Sequence, residues 1–147
     1  MIPFTLFTAD CTGNLSNCVY SHKTVITDAE SLRQATAFDH VTAAYKNNYR
    51  GTANFIQSDV VPMDCDNDRS DDPNAWVTPF EVAMAFQDVA FAVVYSRNHM
   101  KEKDGKAARP RFHIYFPVPA VADAVEYTAI KQQIAEHFPY FDRNALD

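Results

Sequence analysis

The stretch Pro110-Arg111-Phe112-His113-Ile114-Tyr115-Phe116-Pro117 alternates strictly between core-forming and ligand-capable residues. Side chains on a strand point to opposite faces with a period of two. Phe112, Ile114 and Phe116 therefore predict a buried face, and Arg111, His113 and Tyr115 the face opposite it. Fifty residues earlier, Val60-Val-Pro-Met-Asp64-Cys-Asp66 reads the same way, with Val61, Met63 and Cys65 on one side and Pro62, Asp64 and Asp66 on the other. Between the two, Thr78-Pro79-Phe80-Glu81 is a capping box with proline at the first helical position, predicting a helix to about Gln87. Val89-Ala-Phe-Ala-Val-Val-Tyr95 has the β-branched and aromatic content of a buried strand. Tyr127, Ile130, Ile134 and Phe138 follow at helical spacing. They predict a helix from about Asp123 to Phe138, ended by Pro139.

The order from residue 60 is strand, helix, strand, strand, helix. These are five of the six elements of a β-α-β-β-α-β unit, the ferredoxin-like or RRM-like layout, in which the first and third strands are central neighbours. The expected fold is α+β: an RRM-like catalytic core over residues 56–147, cut before its last strand, which would follow Phe141-Asp142. Residues 1–55 form an N-terminal α/β module of the same single domain, 1–147. In that module Thr27-Asp-Ala-Glu30 reads as a capping box opening a helix of about ten residues. Tyr45–Gly51 reads as loop, with Tyr49-Arg50 either lining a template path or lying on the surface.

Composition narrows the class. The chain has 147 residues, 47% hydrophobic and 22% charged, with net charge −6, which suits one core. No apolar run approaches the roughly 18 residues of a membrane span. The opening Met1-Ile-Pro-Phe-Thr-Leu-Phe-Thr-Ala-Asp10 has no basic n-region of a secretory signal. Cys11, Cys18 and Cys65 form no CxxC pair, so a reducing, cytoplasmic setting is expected. The charge is unevenly placed. Residues 64–72 hold five aspartates against Arg69, whereas residues 97–111 hold six basic residues against Glu102 and Asp104. An acidic knot beside a basic stretch predicts a bound cation next to a bound polyanion; the plain alternative is two solvated loops.

On adjacent strands, Asp64 and Asp66 would stand beside Arg111 and His113. Carboxylates at i and i+2 lie roughly 7 Å apart at the backbone. With substrate phosphates they suit hard divalent ions such as Mg²⁺, and two such ions serve in-line phosphoryl displacement. Other readings of the knot fail. An EF-hand starting at Asp64 would need Gly at Arg69 and Glu at Ala75. Cys11, Cys18 and His22 supply too few ligands for zinc. Cys65 falls on the core face, and His22, His40 and His137 read as ordinary surface or core residues. His99 lies in the basic stretch, within reach of phosphate.

These residues resemble the archaeo-eukaryotic primase superfamily, and more narrowly the primase-polymerase domains of phages, plasmids and integrated elements. That superfamily has an hhhDhD strand, an s-x-H strand and a later hD. The first corresponds to Val60–Asp66 and the second to Pro110–Pro117, with Arg111 in the place of the small residue. The third corresponds to Phe141-Asp142, with Leu146-Asp147 as the rival. The resemblance spans about residues 49–147. It implies Asp64, Asp66 and Asp142 as ligands of catalytic Mg²⁺ or Mn²⁺. It implies His113, with Arg111 and Ser96, at the nucleotide phosphates, and Asp64, Asp66 and His113 as the catalytic set. It further implies a DNA template, an NTP or dNTP substrate, and a helicase domain or partner within a longer mobile-element replication protein. The fragment alone would then be inactive.

Two rivals belong to other classes. Arg109–Phe116 is reminiscent of the RNP1 strand of a non-catalytic RRM-like module that binds single-stranded nucleic acid. Such a module should offer an aromatic where Asp64 and Asp66 stand. A metal-dependent nuclease would use the same acids and histidine.

Overall fold

The computed structural model describes residues 1–143. Among them the chain forms β1 (Phe4–Thr8), β2 (His22–Ile26), α1 (Ala29–Thr36), β3 (His40–Val41) and β4 (Ala44–Tyr45). Then come β5 (Phe55–Cys65), α2 (Pro79–Ala85), β6 (Ala92–Tyr95), β7 (Phe112–Val121) and α3 (Ala124–His137). This is a mixed α+β structure with two antiparallel sheets, ordered β2-β1-β3 and β4-β5-β7-β6. The strand expected after Asp142, and the alternative acid Asp147, lie outside the described residues. No helix among the described residues is long and apolar enough to cross a membrane.

Local chemistry sets the element ends. Helix α1 is capped by Asp28 rather than Thr27. The Asp28 carboxylate accepts the Ser31 N–H at 2.7 Å and the Ser31 hydroxyl accepts the Asp28 N–H at 3.1 Å. Glu30, one position early for a capping box, binds Arg33 and Gln34 instead. The Thr78–Glu81 box forms as expected around Pro79. Its helix stops at Ala85, because Phe86 leaves helical geometry and packs its ring on Phe116 and Phe138. Val89 then closes a turn onto the Phe86 carbonyl, so β6 begins only at Ala92.

Strands β5 and β7 outrun their sequence signatures and pass through prolines. Pro62 lies opposite Tyr115, and Pro117 opposite Val60. Proline lacks the N–H that a ladder needs. Strand β4 pairs only with the start of β5, and β6 pairs with β7 only from Phe112 to Tyr115. The missing donors therefore fall on stretches of edge that carry no partner strand. Strand β4 comes from the first 55 residues, so the N-terminal segment contributes to the second sheet as well as forming its own.

Both faces of the second sheet are covered. Val61, Met63, Cys65, Phe112, Ile114 and Phe116 pack under Val82 of α2 and Tyr127 and Ala135 of α3. The expected open face is only partly open. Val60, Ala92 and Tyr115 pack against Phe4, Leu6 and Ile26 of the first sheet and Leu32 and Ala35 of α1. The uncovered remainder, around Pro62, Asp64 and His113, is half-buried.

Two outcomes follow. Ile114 is fully buried at the centre of β7, so Ile114→Ala should lower the urea-unfolding free energy by about 2–5 kcal/mol. Burial pushes the Cys65 thiol up to about 12. A thiol reagent at neutral pH should therefore modify half-buried Cys18 in the native protein but reach Cys65 only after unfolding.

Candidate functional site

Asp64 and His113 are direct partners in the β5–β7 register. The Asp64 carbonyl accepts the Asp142 N–H at 2.8 Å and so turns away from β7. That makes Asp64/His113 a non-hydrogen-bonded pair, the closer of the two antiparallel types, with Cα atoms about 4.5 Å apart. The side chains meet accordingly: Nδ1 of His113 donates to Oδ1 of Asp64 at 2.5 Å. Burial opposes charging this ring. The bond and charge of Asp64, reinforced by Asp66 and Asp142, outweigh it and hold the His113 pKa above the ordinary histidine value. Nδ1 is thereby committed, which leaves Nε2 as the ring's edge toward the adjoining cleft.

Asp66 lies one residue past β5. Its N–H donates to Oδ2 of Asp142 at 2.9 Å. The segment around Phe141-Asp142 therefore runs alongside the end of β5, and three carboxylate residues gather there. Burial and the nearby charges of Asp66 and Asp64 push the Asp142 carboxyl up to about 7. Among the described residues no group of three or more His, Cys, Asp or Glu side chains forms a ready-made cage for a metal ion.

Asp68 and Asp71 of the acidic knot already hold cationic side chains. Arg111, 1% exposed, donates from Nη1 to the Asp66 carbonyl at 3.1 Å and to Oδ1 of Asp68 at 2.9 Å. Lys106 reaches the same carboxylate at 3.6 Å. Burial alone would raise the Asp68 pKa, and these two cations lower it instead. Arg109, fully buried, ties the Asn67 and Ser70 carbonyls and Asp71, each at 3.0 Å, and lies 5.0 Å over the Trp76 ring. Asp68 and Asp71 of the knot thus meet Lys106, Arg111 and Arg109 of the basic stretch, and the two runs partly neutralise each other. Residues of one charge sign that cluster in sequence met their partners forty positions away.

The two weaker nucleotide candidates differ in access. Arg111 is on the expected side of β7 but buried, with Nε and Nη2 making no hydrogen bond among the described residues. Ser96 is half-buried; its N–H donates to the Arg111 carbonyl and its hydroxyl accepts the Asn98 N–H. His99 accepts the Arg111 N–H at 3.2 Å and stacks on Tyr95 at 4.1 Å.

Sequence reasoning passed over His40. It lines, with His113 and Tyr115, both clefts at the site. One, of about 470 Å³, also contains Asp64, Tyr45 and Arg50. The other, of about 290 Å³, contains Phe38, Ser96 and Arg97. The Phe38 carbonyl can only accept, so the His40 Nδ1 at 3.0 Å carries the proton, and Nε2 accepts the Tyr115 hydroxyl at 2.8 Å. Burial lowers the His40 pKa, and the charge of His113 adds to this. No short motif marks His40; its place depends on the packing of one sheet on the other.

No protein-family model matches this chain, and neither a curated protein nor a solved structure matches it.

A carboxyl whose folded pKa exceeds its unfolded value stabilises the fold fully only below the unfolded value, and that contribution is lost as pH rises through the folded value. For Asp142 the window runs from about 4 to about 7. Melting temperature should fall across that window, and fall less in Asp142→Asn. An equal decline in both proteins would mean that the three acids do not share one field.

Proposed function

We propose that this chain is the catalytic part of a DNA primase-polymerase, joining nucleotides on a DNA template by metal-assisted nucleotidyl transfer. The observation that carries the reading is the facing of Asp64 by His113 across β5 and β7, with Asp142 bonded to Asp64 and Asp66 at the same strand end. The strand order β5-β7-β6, with α2 between β5 and β6 and α3 after β7, supports the RRM-like layout that the superfamily resemblance implies.

The three carboxylates are of the ligand type that Mg²⁺ or Mn²⁺ takes. Asp64, Asp66 and Asp142 offer hard oxygen ligands, and burial with the nearby charges of Asp66 and Asp64 raises the Asp142 carboxyl, a cost that a cation would relieve. Few protein ligands suffice for an ion that keeps waters and takes substrate phosphate oxygens. When bound, such ions would stabilise the attacking and leaving oxygens of an in-line displacement.

The chain's own residues then have separate tasks. Asp64 orients His113 and raises the pKa of its ring, favouring the form whose Nε2–H can donate to a phosphate oxygen of the nucleotide. In the reaction a 3′-hydroxyl gives up its proton to solvent water, its oxygen bonds to the α-phosphorus, the bond from that phosphorus to the bridging oxygen breaks, and pyrophosphate leaves with the electron pair. Ser96 lies beside His113 on the cleft wall. Arg111 holds Asp66 and Asp68 in place and contributes through them. A longer parent with a helicase domain agrees with this reading, and so does an inactive fragment.

The test is primer synthesis and extension with Mg²⁺ or Mn²⁺, NTPs and dNTPs, on this chain and its longest natural form. Asp64→Ala or Asp66→Ala should abolish synthesis, by about a hundred-fold or more; unchanged synthesis in both overturns the mechanism. Shortened rather than extended primers would identify a nuclease. Binding of single strands without metal that survives both substitutions would identify a non-catalytic RRM-like module. Independently of turnover, Mg²⁺ should raise the melting temperature of the unaltered chain and not of Asp64→Asn/Asp142→Asn.

A further inference from the structure

His40 belongs to β3 of the N-terminal sheet, yet it borders both clefts flanking His113. Its link to the site is Tyr115. Tyr115 lies two residues from His113 on the same face of β7, 2% exposed, its ring stacked on Phe4 at 5.7 Å and 14°. A phenol this deeply buried must spend its hydroxyl on some acceptor, because an unmet buried donor carries a full desolvation penalty. His40 Nε2 is that acceptor, and the bond from Nδ1–H to the Phe38 carbonyl fixes the tautomer that makes it one. His40, Tyr115, His113 and Asp64 all line the larger cleft, so the four side chains share one neighbourhood.

We propose that His40 is a positioning residue for the His113–Asp64 pair: by accepting the Tyr115 hydroxyl it keeps that hydroxyl from competing for the pair. Without His40, the Asp64 carboxylate that holds His113 is an ionic acceptor on the same cleft wall as Tyr115. A hydroxyl drawn there would weaken the Nδ1–H bond and release the imidazole from the orientation that points Nε2 into the cleft. The N-terminal sheet is then part of the site. Its contribution is one hydrogen bond that crosses from β3 to β7. The kinetic consequence rests on the nucleotidyl-transfer reading; the effect on His113 does not.

The experiment compares His40→Leu, His40→Asn, His40→Gln, Tyr115→Phe and His40→Leu/Tyr115→Phe in the full chain. The first readout is the ¹⁵N resonances of the His113 ring. The second is the split between KM for nucleotide and kcat. Leucine removes the acceptor, and asparagine is too short to span both partners. Either should shift the His113 resonances and raise KM by about five- to ten-fold with little change in kcat. Glutamine can accept from Tyr115 while donating to Phe38, and should restore both readouts. Tyr115→Phe removes the hydroxyl that needs a partner, so adding His40→Leu to it should move His113 no further. Unmoved His113 resonances in folded His40→Leu or His40→Asn would overturn the proposal, and so would additive effects in the double variant. Should neither the unaltered chain nor its longest natural form make primer, the nucleotidyl-transfer reading falls and the His113 resonances alone decide the role of His40.

Discussion

The hydrogen bond between Asp64 and His113 is the contact around which the rest of the site is arranged. It exists because two strands far apart in sequence are held in one register, and because that register makes the pair non-hydrogen-bonded at the backbone. A slip of one residue would send Asp64 and His113 to opposite faces and bury a carboxylate among Met63, Ile114 and Phe112. The apolar face therefore specifies the polar one. Six core side chains under α2 and α3 leave the register no alternative.

Around this pair the charged residues divide into two groups with different physics. Asp64, Asp66 and Asp142 lie close together, and burial, with the charges of Asp66 and Asp64, raises Asp142 toward neutrality. Asp68 and Asp71 are matched by Arg111 and Arg109, both buried, with further bonds to backbone carbonyls. Breaking such a pair leaves a buried guanidinium without compensation, which costs more than the pair itself contributes. The second group thus fixes the loop after β5 rigidly beside the first. Two of the five aspartates in the acidic stretch, Asp68 and Asp71, meet the basic one, which offsets part of its charge.

Much of this was legible in the sequence. The alternation in Val60–Asp66 and Pro110–Pro117 identified the strands, their buried faces and the partnership of Asp64 with His113. Proline at the first turn and the Thr78–Glu81 box placed α2, and the spacing of Tyr127, Ile130, Ile134 and Phe138 placed α3. Element ends were less legible. Phe86 left its helix for an aromatic cluster, and Ser31 rather than Glu30 completed the first cap; both turn on contacts that spacing does not encode. Cys65 was readable as core from its side of the strand. Arg111, two residues from His113 on the same side, looked equally available to a ligand, but its guanidinium turns into the loop to meet Asp68.

The sequence by itself determined the period-two pattern, the starts of α2 and α3 and the side of its strand on which each of Asp64 and His113 stands, since these depend on neighbours within a few residues. Only the tertiary structure decided which charges remain for a ligand and which are consumed. Only it brought His40 from the N-terminal sheet to the Tyr115 hydroxyl. Ion pairs and buried hydrogen bonds join residues tens of positions apart, and their partners are chosen by packing geometry after the strands have aligned. A local pattern carries the direction of a side chain; what that side chain meets is set by the whole fold.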